Sequence, residues 1–439
     1  METISGVGLS RKWDSTEAGK EVATDLLRNL GGEYPECVLL FSTIHYKDNG
    51  GFQKLLDSIY EVLPKNTSLV GGTTAGFVIP QGCFTRGVAA FGLKSKKVDF
   101  SIAIAQNMKR NPVLAARQCA LKVKTDLSKS NFKNKFLLNL PAGITTPKIP
   151  GFPDNLRVIR IKGFSKIISS LLILFTKFSL LVFQKGPGRE DEIIKTLASE
   201  LPEYRMIGGS FVDDNKGYFN FQFYNQKVYT NALITLAMAT DFGISVQSNF
   251  GLVESSQKFN ITKTSLYGLV IDEINGKSAF SEIIKILGWP KDFMEDSRRI
   301  LRRTFYIPIG YNDGGKKYVS VIAFIFGDSI VISPKVHCAE ACFMTTSGEK
   351  LIQVVDSNLL ETKEKDIQFG IISSCIARLE TLGSSVYKVH EKLIKHFKGK
   401  PFIQMYAVGE DVYTPELGAK RISESYNTAI FYDEKDKTT

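Results

Sequence analysis

Residues 37–44, CVLLFSTI, are followed by 52–63, FQKLLDSIYEVL, and by 69–76, LVGGTTAG. The first stretch is short and apolar from Cys37 to Phe41, which suits a strand buried on both faces. The second places Phe52, Leu55, Leu56, Ile59 and Leu63 on one helical face before Pro64 ends it. The third runs from an apolar pair into two glycines. Together they predict a strand, a covering helix and a second strand with a glycine turn. Two more strands, GVAAFGL from Gly87 and VDFSIAIA from Val98, lead to a helix opened by Pro112.

The pattern then repeats. FLLNLPAG from Phe136 is a second buried strand, EDEIIKTLASELP carries Ile193, Ile194, Leu197 and Leu201 on one face, and MIGGSFVDD from Met206 restores the paired glycines, Gly208 and Gly209. Strands GYFNFQFY and ALITLAMA follow. Toward the C-terminus IQFGIISSC, a helix aligning Val386, Val389, Leu393, Ile394 and Phe397, and PFIQMYAVGEDV give a related third unit. Between them LYGLVIDEINGKSAFSEIIKILGWP predicts a strand, an Asn-Gly turn and a short helix. The expected fold is α/β (α+β): two lobes of mixed sheets flanked by helices, the N-terminal lobe internally duplicated. The expected organisation is an extension over 1–30, an N-terminal domain over 31–255 with an apolar insertion near 164–183, a C-terminal domain over 256–433 and a tail over 434–439.

Composition narrows the class. At 439 residues the chain is long enough for two cores, and 43% hydrophobic with 23% charged residues is ordinary for a globular protein. Six cysteines are too few for a disulfide framework, and the first residues lack a signal-peptide pattern, so a cytoplasmic location with reduced thiols is expected. The net charge of +11 suits an anionic ligand, but no aromatic-and-basic motif points to specific nucleic acid. Arg298, Arg299, Arg302 and Arg303 have the spacing of a basic helix edge, either an anionic contact or a solvated face. Residues 167–183, IISSLLILFTKFSLLVF, are the most apolar run. Lys177 inside it argues against a spanning helix and leaves a buried or surface-lying one, with peripheral membrane contact or partner docking as its use.

Several residues carry candidate chemistry. Gly71, Gly72, Thr73 and Thr74, with their counterparts Gly208 and Gly209, could turn backbone N–H groups toward a carboxylate or phosphate, or could simply mark a tight strand exit. Ser374, Cys375 and Arg378 end an apolar strand, where open α/β sheets bind ligands. Gly409 and Glu410 end the next strand, and Arg378 would either clamp a carboxylate or pair with Glu410. His337, Cys338 and Cys342 lack a fourth metal ligand nearby, and Cys375 with His337 or His390 lacks a local oxyanion hole. Asp213, Asp214, Asn215 and Gly217 read better as a turn than as a calcium loop.

The chain resembles the FIST family. The likeness rests on VLLFSTIHY, the helix after it and LVGGTTAG in the first half. In the second half it rests on FGIISSCIARLETLG, KPFIQMYAVGEDV and Tyr426-Asn427-Thr428. It implies an intracellular sensory module that binds a small ligand, amino acid-like and anionic, without being an enzyme. With no fused output domain in this sequence, the resemblance implies a separate signalling partner. It also implies one alternative, a haem-binding gas sensor with an axial ligand among His45, His337, His390 and His396; the residues themselves leave two more, an interaction scaffold with no small ligand and, least of all, a cysteine hydrolase. On this reading the ligand site collects Gly71, Gly72, Thr73, Thr74, Gly208, Gly209, Ser374, Cys375, Arg378, Gly409, Glu410 and Asn427, with no metal. The oligomeric state is not encoded in any readable motif.

Overall fold

A computed structural model describes residues 3–146, 157–161, 163–290, 292 and 303–434. The chain builds one motif three times. The first copy is β1 (Thr3–Ser10), α1 (Ser15–Asn29), β2 (Cys37–Ser42), α2 (Phe52–Val62), β3 (Ser68–Thr73), a hairpin of β4 (Phe77–Ile79) and β5 (Gly82–Phe84), and β6 (Val88–Ser95). The second is β7 (Val98–Gln106), α3 (Pro112–Asp126), β8 (Asn134–Pro141), a crossover, β10, a hairpin and β13. Its crossover holds β9 (Val158–Ile159), α4 (Ser165–Leu181) and α5 (Glu190–Glu200). Then come β10 (Arg205–Ser210), the hairpin β11 (Gln222–Tyr224) with β12 (Lys227–Tyr229), and β13 (Ala232–Thr240).

The third copy opens with β14 (Gly243–Asn249) and is interrupted by a separate sheet. That insertion comprises β15 (Val253–Ser265), β16 (Val270–Ile274), β17 (Lys277–Ser278), α6 (Ala279–Leu287), β18 (Ile309–Asp313), β19 (Lys316–Phe326), β20 (Ser329–Ser333) and β21 (Glu340–Thr345). The copy resumes with α7 (Gly348–Leu359), β22 (Asp366–Cys375), α8 (Ile376–Leu382), α9 (Val386–Phe397), β23 (Phe402–Tyr413), β24 (Lys420–Ile422) and β25 (Tyr426–Asp433).

Strand pairing establishes the equivalence. The parallel pairs are β2 with β3, β8 with β10 and β22 with β23. Each first strand is flanked on its other side by an antiparallel return strand, β6, β13 or β25. An outer strand, β1, β7 or β14, completes each set. The copies then lock in a ring: β4 pairs with β23, β11 with β3, and β10 with β23. Mixed sheets flanked by helices are therefore present, and so is the duplication in the first half.

The cores follow from this layering. Along β2, Cys37, Leu39 and Phe41 join a central cluster with Leu138, Ile207, Phe369, Met405 and Phe431 from the other copies. The alternating Val38 and Leu40 pack under α1 and α2 with Leu55, Leu56 and Ile59. A strand covered on both faces needs apolar residues along its length, which is why 37–41 reads as an unbroken apolar run. Helix α3 is seated by Ala115, Ala116, Cys119 and Val123 against Ile193, Ile194 and Leu197 of α5. Asp14 caps α1, its carboxylate accepting from Thr16 N and Glu17 N.

Some expectations land elsewhere. Residues 3–29, expected as an extension, supply the outer strand and first helix of copy one, with Thr3 to Ser10 in register against Ser95 to Val88. The boundary drawn at 255 falls inside β15. Of the strand expected over 217–224, only Gln222–Tyr224 is a strand, because Asp213 ties up the preceding loop by accepting from Lys216, Gly217, Tyr218 and Phe219 N–H groups. That is the turn expected there. His337 and Cys338 are exposed and not helical, and Cys342 lies buried on β21 in a small cluster with Leu252, Val319, Met344 and Ile422. Arg298, Arg299 and Arg302 lie outside the described residues.

Candidate functional site

The predicted site residues separate into two groups, with Arg378 apart from both. Gly71, Gly72, Gly208 and Gly209 lie within strands β3 and β10 rather than in turns. Gly71 stands opposite Leu40 and Phe223, and Gly208 opposite Asn139 and Asp411. A Cβ on Gly71 would come 1.9 Å from Leu40 O, and one on Gly208 would come 2.0 Å from Asn139 O. The glycines are required by close strand approach, and their amides belong to sheet ladders instead of a concave anion nest. Thr73 and Thr74 are buried at the end of β3. Thr73 Oγ1 accepts from Phe221 N at 3.0 Å, and Thr74 Oγ1 donates to Tyr406 O at 2.5 Å.

The second group converges in a buried polar centre where β10, β22, β23 and β25 meet. Arg421 of β24 lies in it with its side chain 3% exposed. Its Nη1 donates to Asp411 Oδ1 at 3.0 Å and its Nη2 to Ser210 Oγ at 2.7 Å and Val408 O at 3.1 Å. Gly409 makes room for it: φ is +65° there, and a Cβ would touch the guanidinium at 2.6 Å. Asn139 Nδ2 donates to Asp411 Oδ2 at 2.7 Å, and Asn427 Nδ2 donates to Asp411 O at 3.0 Å. Burial pushes the Asp411 carboxyl up to about 6, against the pull of Arg421.

Glu410 Oε2 accepts from Ser425 N and Oγ, both at 3.3 Å, while Oε1 has no partner among the described residues. Burial raises Glu410 well above the ordinary carboxylate range. Cys375, the last residue of β22, is pushed well above the ordinary thiol range by burial and by the charges of Glu410 and Glu424. A thiol so held stays protonated and is a poor nucleophile. Ser374 is buried opposite Tyr406 and Tyr426.

Arg378 belongs to neither group. It is 1% exposed, donates from Nη1 to Phe250 O at 3.3 Å and from Nη2 to Leu351 O at 2.6 Å, and stacks 5.2 Å from the Tyr426 ring centroid. It therefore staples α7 and the β14 exit to α8, so the expected pairing with Glu410 gives way to two carbonyl contacts.

The third feature is open to solvent. A cleft of about 540 Å³ lies beyond the carboxyl ends of β3 and β22, walled by Ala75, Ile376, Leu379, Tyr387 and Tyr406. Its polar lining includes Arg86, Asp214, Glu380, Thr85 and Ser384. Tyr406 takes a distinctive place. Val70, Ile207 and Met405 face the central core in the three copies. The next residues are Gly71, Gly208 and Tyr406, so the third copy substitutes an aromatic wall for a glycine.

Sequence reasoning missed Asp411, Arg421, Glu424, Asn139 and Lys109. Asp411 was visible beside Glu410 in the quoted VGEDV, whereas Arg421 and Lys109 carry no motif. Lys109 is buried, donates to Gly143 O and Gly186 O at 2.7 Å each, and is pushed by burial down to about 8. None of the four histidines lines the cleft. Nδ1 of His45 faces Thr43 Oγ1, Nε2 of His390 faces Pro80 O, Nε2 of His396 faces Thr362 Oγ1, and His337 is exposed. The histidines expected as axial ligands therefore lie away from this cleft.

The FIST N domain model matches residues 36–277, more than half of the chain. This chain belongs to the FIST family. Membership implies a sensory signal-transduction module, and the matched region carries the first copy of the motif from β2 onward, the whole second copy, β14 and the start of the inserted sheet. The resemblance beyond residue 277 rests on sequence features alone. A comparison with curated proteins finds no match. Among solved structures, the FIST chain is similar to a cyanuric acid hydrolase from A. caulinodans at 8% identity and a TM-score of 0.27, over 54% of this chain and 71% of that one. Another solved cyanuric acid hydrolase is similar at 8% identity and a TM-score of 0.39, over 98% of this chain and 100% of that one. Similarities this low carry no inference about chemistry. No described helix is long and apolar enough to cross a membrane.

Proposed function

We propose that this FIST protein is a cytoplasmic sensor that binds a small amino acid-like ligand in the cleft between β3 and β22 and passes the signal to a separate partner. The observation that carries this reading is the cleft itself. It opens at strand carboxyl ends, where open α/β sheets gather ligands, and its lining includes one guanidinium and two carboxylates. Arg86 suits a carboxylate, and Asp214 or Glu380 suits an ammonium group. Leu379, Tyr387 and Tyr406 offer apolar contact to a side chain between them.

Binding without turnover is favoured by the chemistry of the neighbourhood. The thiol of Cys375 is buried and held protonated, which disfavours a cysteine hydrolase. Signal output would use the fastening between cleft and core. Thr74 joins the Tyr406 carbonyl, and Tyr406 N donates to Gly76 O at 2.9 Å, so closure over a ligand would pull directly on β23.

Titration calorimetry with free amino acids and with simple carboxylates tests the reading. An amino acid should bind, and Arg86→Ala should weaken it about tenfold or more, as loss of a charge-assisted contact requires. Arg86 is exposed, so this change leaves the fold intact. Binding that is unaffected by Arg86→Ala would sink the cleft assignment. No heat from any amino acid or carboxylate would favour the scaffold alternative.

A further inference from the structure

Helix α4 is seated the wrong way round for a helix of a water-soluble core. Its buried residues are Ser169, Thr176, Ser179 and Leu180. Ser169 Oγ donates to Phe326 O at 2.6 Å and accepts from Asp328 N at 2.9 Å, fastening the helix to the β19–β20 turn. Ser179 Oγ donates to Lys185 O at 2.9 Å. The apolar side chains point outward: Ile167 is 58% exposed, Leu171 57%, Leu174 65%, Phe178 50% and Val182 50%. At 3.6 residues per turn these five fall within roughly 80° of the helix circumference. A contiguous apolar stripe of this kind marks a contact surface.

Charge selects the occupant. Residues 155–189 contain no aspartate or glutamate. Lys166 and Lys177 are exposed about 60° to 80° round the helix from the stripe, on its flank, where their stems can lie along apolar surface while the ammonium groups reach outward. Lys185 is exposed just beyond the helix, as is Arg110, whose Nε donates to Leu181 O at 2.6 Å. Among the described residues none of the three lysines has an ion pair. Seventeen residues laid flat extend about 25 Å. An apolar face edged with unpaired lysines fits a sheet of anionic headgroups over acyl chains.

We infer that α4 docks the protein flat on an anionic lipid surface, with the stripe from Ile167 to Val182 entering the acyl boundary and Lys166, Lys177 and Lys185 meeting phosphate or carboxylate headgroups. This inference stands apart from the cleft and does not depend on it.

Co-sedimentation of the full chain with vesicles tests it, using phosphatidylcholine alone and phosphatidylcholine mixed with phosphatidylserine. Partitioning onto the mixed vesicles should exceed that onto neutral ones about tenfold or more and fall as salt rises. Leu171→Ser with Leu174→Ser should abolish sedimentation, and Lys166→Glu with Lys177→Glu should remove the preference for phosphatidylserine. All four side chains are exposed, and an unchanged thermal melt would certify that each variant folds. Wild type staying in the supernatant with both vesicles would overturn the inference, as would equal sedimentation of the Leu171/Leu174 variant. A dimer in light scattering that the same leucine changes dissolve, with no vesicle binding, would assign the face to a second copy instead.

Discussion

At the scale of single residues the buried polar centre is the unusual part of this protein. Glu424 has φ of +66°, is wholly buried, and neither carboxyl oxygen has a hydrogen-bond partner among the described residues. Burial pushes its pKa up to about 8, against the pull of Arg378. Between its ordinary 4.5 and about 8 the native state therefore keeps a proton that the unfolded chain has released. The unfolded state binds fewer protons there, so stability must fall as pH rises through that window. Glu410 and Asp411 are raised as well and add slope in the same direction. Urea midpoints measured from about pH 5 to about pH 8 should decline for the wild type and decline less for Glu424→Gln. Parallel curves would show that Glu424 is ionised in the fold.

At the scale of elements, paired glycines set how closely parallel strands approach. Gly71 and Gly208 each leave no room for a Cβ against a backbone carbonyl, and that carbonyl cannot swing aside without breaking its ladder. Gly71→Ala and Gly208→Ala should each cost about 1–3 kcal/mol or more in urea denaturation. Gly348, the first residue of α7, faces open space where a Cβ would stand, and its backbone is not left-handed. There the same change should be neutral or stabilise by about 0.4–1 kcal/mol, through the unfolded chain. Equal losses at all three positions would mean that strand spacing is not what the glycines provide.

At the scale of the whole molecule, the three copies share what they bury. Phe41 from the first, Leu138 and Ile207 from the second, and Phe369 and Phe431 from the third lie in one cluster. Strand β10 is flanked by β8 on one side and on the other by β23, which comes far later in the chain. A fragment ending at residue 250 would expose that edge and the side of the central core that Phe369, Ile371, Ile403, Met405 and Phe431 cover. It should aggregate or lack a cooperative melt, whereas the full chain should melt with one main transition across its three copies. A soluble fragment with a sharp melt would show that the first two copies stand alone.

Most strands of the repeated units from Cys37 onward, most of the helices and the recurrence of the motif could be read from the sequence, because burial on two faces forces continuous apolar runs and a covering helix forces its own period; the strand Thr3–Ser10 and the inserted strands from Ile309 to Thr345 could not. The sequence also carried the family likeness, and it marked 164–183 as too charged at Lys177 to span a membrane. What each glycine, cysteine and arginine does was decided only in three dimensions. The Gly-Gly pairs read equally well as turns or as close strand contacts until Leu40 and Asn139 were placed beside them. Arg378 and Arg421 are the same residue type near strand ends, yet one staples carbonyls and the other neutralises Asp411, because each side chain takes the partners that distant strands bring within reach. Local pattern fixes which face of an element is apolar; only the tertiary structure fixes what that face meets, since a buried charge is satisfied by neighbours far away in the chain.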